Sequence, residues 1–116
     1  MIWCGEGWRA LIEQCDAELA QLFPDYVIYQ IEPKLGVLVY LVRPRPGEVT
    51  TDEIAISHAI TARYRTASAA TCEWCGRPGH LREDRAELQT EVQTLCDDCF
   101  SDLATTHYPR AKVPRT

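Results

Sequence analysis

Four of the six cysteines in this chain stand in two pairs with the same internal spacing. Cys72 and Cys75 form one Cys-x-x-Cys motif, Cys96 and Cys99 form a second, and 20 residues (76–95) separate them. Two thiolates three positions apart can bind one ion from a tight turn, and two such pairs complete a tetrahedral sulfur shell. The spacing predicts one structural Zn²⁺ ion, with iron as the chemical alternative. Because four protein ligands leave no position for water or substrate, we expect no catalysis at the metal.

The residues around these motifs predict how the ligands are positioned. Gly76 directly follows the first pair and gives the backbone the freedom that a metal-binding knuckle needs. We expect a hairpin between the pairs, with strands at about 80–83 and 91–95. After Cys96, two aspartates suit the first turn of a helix, and four residues follow at the spacing of one helical face: Phe100, Leu103, Ala104 and His107. A knuckle, a hairpin and a helix in this order form a treble clef, here a four-cysteine zinc ribbon.

Other residues capable of chemistry have weaker patterns. Cys15 lies on an apolar helical stripe and is expected in the core, while Cys4 is expected to be a free thiol. His58, His80 and His107 each lack the partners of a catalytic triad, so we expect surface or hydrogen-bonded histidines. A histidine in a treble clef is also a feature of certain nucleases, but those need an asparagine, and this chain contains none. We therefore expect no catalytic residue and no enzymatic activity, with a nuclease or other hydrolase as a minor alternative.

The first 70 residues are expected to form an α-β-β-α unit that carries the metal module. Apolar residues at helical spacing predict a first helix at 6–22, which ends before Pro24. Two runs rich in β-formers, Tyr26 to Glu32 and Val37 to Val42, predict a hairpin whose turn is 33–36. The second run is apolar on both faces, so it is either covered on both sides or exposes a hydrophobic surface.

A second helix is expected at 52–69. Thr50 and Glu53 have the spacing of a capping box at its start. Its core-facing stripe is predicted to be Ile54, Ile56, Ala59, Ile60, Tyr64 and Ala67. The predicted fold class is thus α+β, with an α-β-β-α unit at 1–70, a zinc ribbon at 71–108 and a flexible basic tail at 109–116.

Charge and hydropathy limit the function classes. The net charge of −5 argues against binding to nucleic acid through bulk charge alone. No apolar stretch approaches the ~20 residues that span a bilayer. The N-terminal residues lack the basic flank and apolar core of a signal peptide, so we expect a reducing, cytoplasmic compartment and cysteines that serve as thiols or ligands.

The sequence also resembles a known group of proteins. The motifs are Gly7-Trp8, Pro24-Asp25-Tyr26, Lys34 to Leu38, Cys72 to Gly79, and Thr94 to Cys99. Together they resemble short, largely uncharacterised zinc-ribbon proteins of bacteria, phages and plasmids, over about residues 7–100. The resemblance implies the same layout and an origin in a phage or another mobile element, but it implies no activity.

These observations favour a non-enzymatic protein-binding module that engages a host protein or a second copy of itself as a homodimer. The expected interface consists of the knuckle tryptophan, the hydrophobic second strand and nearby arginines: Trp74, Val37, Val39, Leu41, Arg43, Arg45, Arg63 and Arg65. The alternative is a nucleic-acid-binding regulator that uses the zinc ribbon and the same four arginines.

Overall fold

A computed structural model describes residues 6–82 and 92–102. The fold is α+β, as the sequence predicts, with two small antiparallel sheets. A single 3₁₀ turn, Glu6–Trp8, leads into the first helix. The elements that follow are α1 (Arg9–Leu22), β1 (Val27–Lys34), β2 (Val37–Arg43), α2 (Thr51–Ser68), β3 (His80–Arg82), β4 (Gln93–Leu95) and α3 (Asp97–Asp102). The predicted tail, Cys4 and His107 lie outside the described residues.

The first hairpin has a tighter turn than the sequence predicts. Pro33 and Lys34 continue β1, and Lys34 pairs with Val37, so the turn consists of Leu35 and Gly36 alone. Both turn residues have positive φ, at 54° and 84°. This conformation matches the right-handed twist of the flanking strands and is easy for glycine, whose missing Cβ removes the steric penalty. A register shift between Ile28 and Gln30 adds one residue to β1 and breaks its simple alternation.

Both N-terminal helices and the hairpin contribute to one hydrophobic core. Ile31, Leu38 and Tyr40 face inward from the strands. The helices and the segment after α1 supply the other buried residues, which are Trp8, Cys15, Leu19, Phe23 and Ile60. The expected core position of Cys15 is therefore confirmed. On the other side of β2, Leu41 remains 49% exposed, so this strand presents a hydrophobic surface rather than being covered on both faces.

The second helix begins as predicted but turns a different face to the core. The Thr50 side chain accepts a hydrogen bond from the Glu53 N–H, and the Glu53 carboxylate accepts one from the Thr50 N–H, which completes the capping box. The predicted stripe is wrong at Ile54, Ile56 and Ala59, which are exposed, whereas serines at 57 and 68 are fully buried. Each serine hydroxyl donates to the carbonyl three residues earlier, so burial leaves neither hydroxyl unpaired.

The C-terminal elements form the predicted treble clef. β3 and β4 pair antiparallel, with His80 opposite Leu95, and α3 begins directly after Cys96. We call the described part of this region, 71–82 and 92–102, the metal module, and we call 6–70 the N-terminal unit. None of the helices in the described ranges is long and apolar enough to cross a membrane.

Candidate metal centre

The four predicted ligands converge on one point. The sulfur atoms of Cys72, Cys75, Cys96 and Cys99 all lie within 4.8 Å of one another. The Sγ atoms of Cys75 and Cys96 are 3.6 Å apart, too far for the ~2.05 Å bond of a disulfide. Two ligands at a metal–sulfur distance of about 2.3 Å in a tetrahedron lie about 3.8 Å apart. The cluster therefore fits one tetrahedral metal ion, and no described cysteine forms a disulfide.

A tight turn positions the first ligand pair. The Gly76 N–H donates to the Cys72 carbonyl at 3.0 Å, and the Cys72 N–H donates to the Arg77 carbonyl at 2.8 Å. Gly76 has φ of 84°, so the turn uses the freedom that the sequence predicts for this glycine. Together these bonds curl the chain around the position of the ion and bring both thiols to the same side.

The start of α3 positions the second ligand pair. The Phe100 N–H donates to the Cys96 carbonyl at 2.9 Å, and the Cys99 N–H points at the Cys96 sulfur at 3.4 Å. An N–H group aimed at a sulfur stabilises the thiolate form that binds a metal.

Cationic side chains compensate the negative charge of the cluster. Arg77 forms an ion pair with Asp98 at 3.4 Å, which links the first knuckle to α3. Arg82 donates to Asp97 at 2.7 Å, and its guanidinium lies over the Phe100 ring at 4.4 Å from the centroid. Four thiolates around a divalent cation carry a net charge of about −2, so both arginines stabilise the loaded site.

Two ligands differ in their tendency to lose a proton. Hydrogen bonds from the Arg77 side chain and then from its main-chain N–H lower the pKa of Cys75 to about 6. Burial raises the pKa of Cys99, with contributions from the neighbouring thiols. In the metal-free site Cys75 therefore loses its proton more easily than Cys99 does. A divalent cation must displace at least the Cys99 proton.

The first knuckle packs tightly against the beginning of α1. The Gly7 N–H donates to the Glu73 carbonyl at 2.8 Å, and the Trp8 indole N–H donates to the Thr71 carbonyl at 2.9 Å. A Cβ at Gly7 would overlap the carbonyl of Cys72 and lie 2.6 Å from the Gly76 nitrogen. Only glycine fits at position 7, so the N-terminal unit supports the metal ligands directly.

Gly79 and Glu73 connect the two knuckles from inside the module. A Cβ at Gly79 would lie 2.8 Å from the carbonyl carbon of Leu95 and 3.0 Å from the nitrogens of both Cys72 and Cys96. The buried Glu73 carboxylate accepts a hydrogen bond from the Thr94 N–H at 2.9 Å, and the Glu73 N–H donates to the Thr94 carbonyl at 2.9 Å. Neither role is predictable from the sequence, because both depend on contacts between distant segments.

The module also contacts the turn of the first hairpin. The Thr94 hydroxyl donates to the Gly36 carbonyl at 2.6 Å. The Leu81 side chain lies where a Cβ of Gly36 would be. The metal module is thus attached to the N-terminal unit at two places, the start of α1 and the tip of the β1–β2 hairpin.

The predicted interface residues have different settings, and three of them, Val39, Leu41 and Arg65, line one groove between β2 and α2. Trp74 is half-buried against the small core of the metal module, which consists of Cys72, Leu95 and Cys96. Val37 and Val39 are half-buried. Arg45 is ion-paired with Glu53 and Arg63 with Glu18.

Of the remaining predicted arginines, Arg43 donates to the Gly47 carbonyl, and Arg65 lies on an exposed position of α2. The two histidines among the described residues lie at the surface, as expected. His58 is exposed on α2, and His80 lies 3.7 Å from Asp97.

Comparisons with known proteins return no similar chain: no family model matches the sequence, and no curated protein or solved structure matches it. The resemblance to zinc-ribbon proteins of bacteria, phages and plasmids therefore stays a prediction from the sequence. What the geometry establishes is a cluster of four cysteines that can hold one metal ion.

Proposed function

We propose that the chain is a non-enzymatic protein-binding module that one structural zinc ion holds in shape. The observation that carries this proposal is the combination of a closed four-thiol site with an exposed apolar surface on the adjacent hairpin. Zinc is the natural occupant because it accepts a tetrahedral sulfur shell and has no redox chemistry. With all four positions held by protein, the ion stabilises the fold and leaves recognition to the surfaces around it.

The apolar surface lies at the open end of the β1–β2 hairpin. Ile28 is 37% exposed, Tyr29 62% and Leu41 49%. Gln30 pairs with Leu41 and Ile28 pairs with Val42, so Ile28, Tyr29 and Leu41 lie at the same end of the sheet, with Leu41 on the face opposite to that of Ile28. Several exposed apolar residues at one end of a sheet favour a protein contact. A large aromatic such as Tyr29 is a typical residue of such contacts.

A charge placed in this surface tests the proposal. We expect Leu41→Glu to reduce co-purification of the partner by about tenfold or more, because a carboxylate would be buried without a counter-charge. Leu22→Glu is the matched control, since Leu22 is 57% exposed on a different element. Quantitative mass spectrometry after affinity purification of the tagged full chain, with metal content as a check on folding, gives the readout. Sedimentation of the purified protein tests whether the partner is a second copy of the same chain.

The proposal fails if wild type, Leu41→Glu and Leu22→Glu co-purify the same proteins in the same amounts and all three sediment as monomers. A host-protein partner and an origin in a phage or mobile element rest on the resemblance alone and remain proposals. No specific observation among the described residues supports the alternative of nucleic-acid binding. Two of its four arginines are paired with carboxylates, and we expect no mobility shift with DNA or RNA even at low salt.

A further inference from the structure

A groove runs along the open edge of β2, between that strand and one side of α2. It has a volume of about 300 Å³. Four consecutive strand residues and one helical stripe line it: Leu38, Val39, Tyr40, Leu41, His58, Thr61, Ala62 and Arg65. The two-stranded order of this sheet leaves β2 without a second neighbour in the described part of the chain. An open edge of this kind is a template for another strand.

The backbone of β2 has hydrogen-bonding groups directed into this groove. The Leu38 N–H points away from β1 and donates to the Ser68 hydroxyl at 2.8 Å. Since the direction of N–H groups alternates along a strand, the N–H and C=O of Tyr40 point to the same side. Neither group forms a hydrogen bond to a loop backbone or to a side chain within residues 6–82 and 92–102. A third strand at this edge would supply the partners.

The helix wall of the groove carries positive charge without a counter-charge. Among the described residues, Arg65 is the one arginine whose side chain forms neither an ion pair with a carboxylate nor a hydrogen bond. His58 lies two turns away on the same stripe of α2. Arg65 is near the Leu38 end of the groove, because the neighbouring Ser68 contacts Leu38. A carboxylate of a bound strand would complement the charge there.

We propose that this groove binds an extended acidic segment of another protein, which adds to β2 as a third strand with a carboxylate near Arg65. The inference rests on the proposed protein-binding function and names its ligand class. The backbone of the segment would bond to Tyr40, and alternate side chains would enter the groove. A second copy of this chain is disfavoured as the occupant, because β2–β2 pairing would bring a second Arg65 to the same groove.

A peptide selection on the metal-loaded full chain tests this ligand class. We expect random ten-residue peptides displayed on phage to enrich sequences with β-forming residues and at least one Asp or Glu. The enriched peptides should protect the Tyr40 amide from hydrogen exchange, and a higher salt concentration should weaken binding. Selection on Arg65→Glu should lose the acidic preference, and this variant should bind the wild-type peptides about tenfold more weakly.

Matched variants separate the groove from the rest of the surface. Lys34→Glu makes the same charge change at an exposed residue of the hairpin tip outside the groove, so it should leave peptide binding unchanged. Ala62→Leu fills the groove and should abolish binding, whereas Ala55→Leu lies on an exposed face of the same helix and should not.

The inference is overturned if no peptide is enriched, if Arg65→Glu and Lys34→Glu select the same sequences, or if the Tyr40 amide is unaffected by the bound peptide. Concentration-dependent dimerisation that Ala62→Leu abolishes would instead identify a second copy as the occupant. If Leu41→Glu loses the cellular partner while Arg65→Glu and Ala62→Leu keep it, the protein-binding function stands and the groove is not its site.

Discussion

The N-terminal unit and the metal module differ in what holds them together. The N-terminal unit buries eight core residues from two helices and a hairpin, including a tryptophan, four leucine or isoleucine side chains and a tyrosine that are each at most 4% exposed. In the described part of the metal module the buried hydrophobic core is Cys72, Leu95 and Cys96, and two of these are ligands. Its strands have three residues each. Such a small core cannot offset the conformational entropy of folding without a cross-link, which a metal ion bound by the four cysteines would supply.

The interface between the two regions limits how far they can behave independently. Gly7 and Trp8 bond to the backbone of the first knuckle, and Thr94 bonds to the turn at Gly36. Since these are hydrogen bonds and close backbone contacts rather than a large apolar surface, they orient the module more than they stabilise it. The comparison therefore predicts that metal loss affects the module far more than the N-terminal unit.

Loss of a ligand should have the largest effect. We expect Cys96→Ser, or removal of the metal by a chelator, to unfold the metal module, because metal binding contributes on the order of 10 kcal/mol to the folding of such a segment. Amide resonances of 71–82 and 92–102 should collapse in an NMR spectrum, while those of α1, β1, β2 and α2 stay dispersed. Cys15→Ala is the control, since it should lower the melting temperature and keep the metal. Equal loss of structure in both regions would contradict the comparison.

A side chain at the contact between the regions should have the next largest effect. Gly7→Ala places a methyl group against the Cys72 carbonyl and should cost about 2–3 kcal/mol in the free energy of unfolding, together with weaker metal binding. Gly47→Ala has no atom within 4 Å of the new methyl group and meets only the strain of a positive φ, about 1 kcal/mol. Denaturant titrations and chelator competition measure both variants. Unchanged metal affinity in Gly7→Ala would show that the contact does not position the ligands.

Metal binding should weaken as the pH falls. Burial raises the pKa of Cys99, so this thiol is protonated in the metal-free protein at neutral pH and must release its proton to the solvent on binding. Each released proton lowers the binding constant about tenfold per unit decrease in pH. Below the pKa of Cys75, about 6, the proton on that thiol competes as well and the dependence becomes steeper. Competition with a chromophoric chelator between pH 7.5 and 5.5 measures the slope, and a flat profile would contradict the assignment of Cys99 as a ligand.

Removal of the helix cap should have the smallest effect and should be confined to the N-terminal unit. Thr50→Ala deletes the hydroxyl that accepts from Glu53 and should cost about 1 kcal/mol in unfolding free energy. Thr51→Ala, one position further into the helix, should change stability little. Neither variant should alter metal affinity. A loss of metal affinity in Thr50→Ala alone would indicate that the two regions are coupled more tightly than their few contacts suggest.

The features that the sequence predicts correctly all have local signals. The double Cys-x-x-Cys spacing identifies the ligands, helical periodicity predicts α1, and Thr50 with Glu53 predicts the start of α2. Local sequence patterns do not predict burial or residue roles that depend on contacts between distant segments. Ile54 and Ile56 look like core residues by composition, yet Ser57 and Ser68 are buried, since Ser68 is needed to bond the edge of β2. The roles of Gly7 and Gly79 are likewise visible only when the knuckles are in place.

The central claim is that one zinc ion bound by four cysteines holds the metal module together. Elemental analysis of the carefully purified full chain, combined with native mass spectrometry, tests it most directly. We predict one equivalent of zinc per chain, retained in Cys15→Ala and absent from Cys96→Ser. Less than about half an equivalent of any transition metal in a folded wild-type protein would contradict the claim, and one equivalent of iron would keep the site but replace its ion.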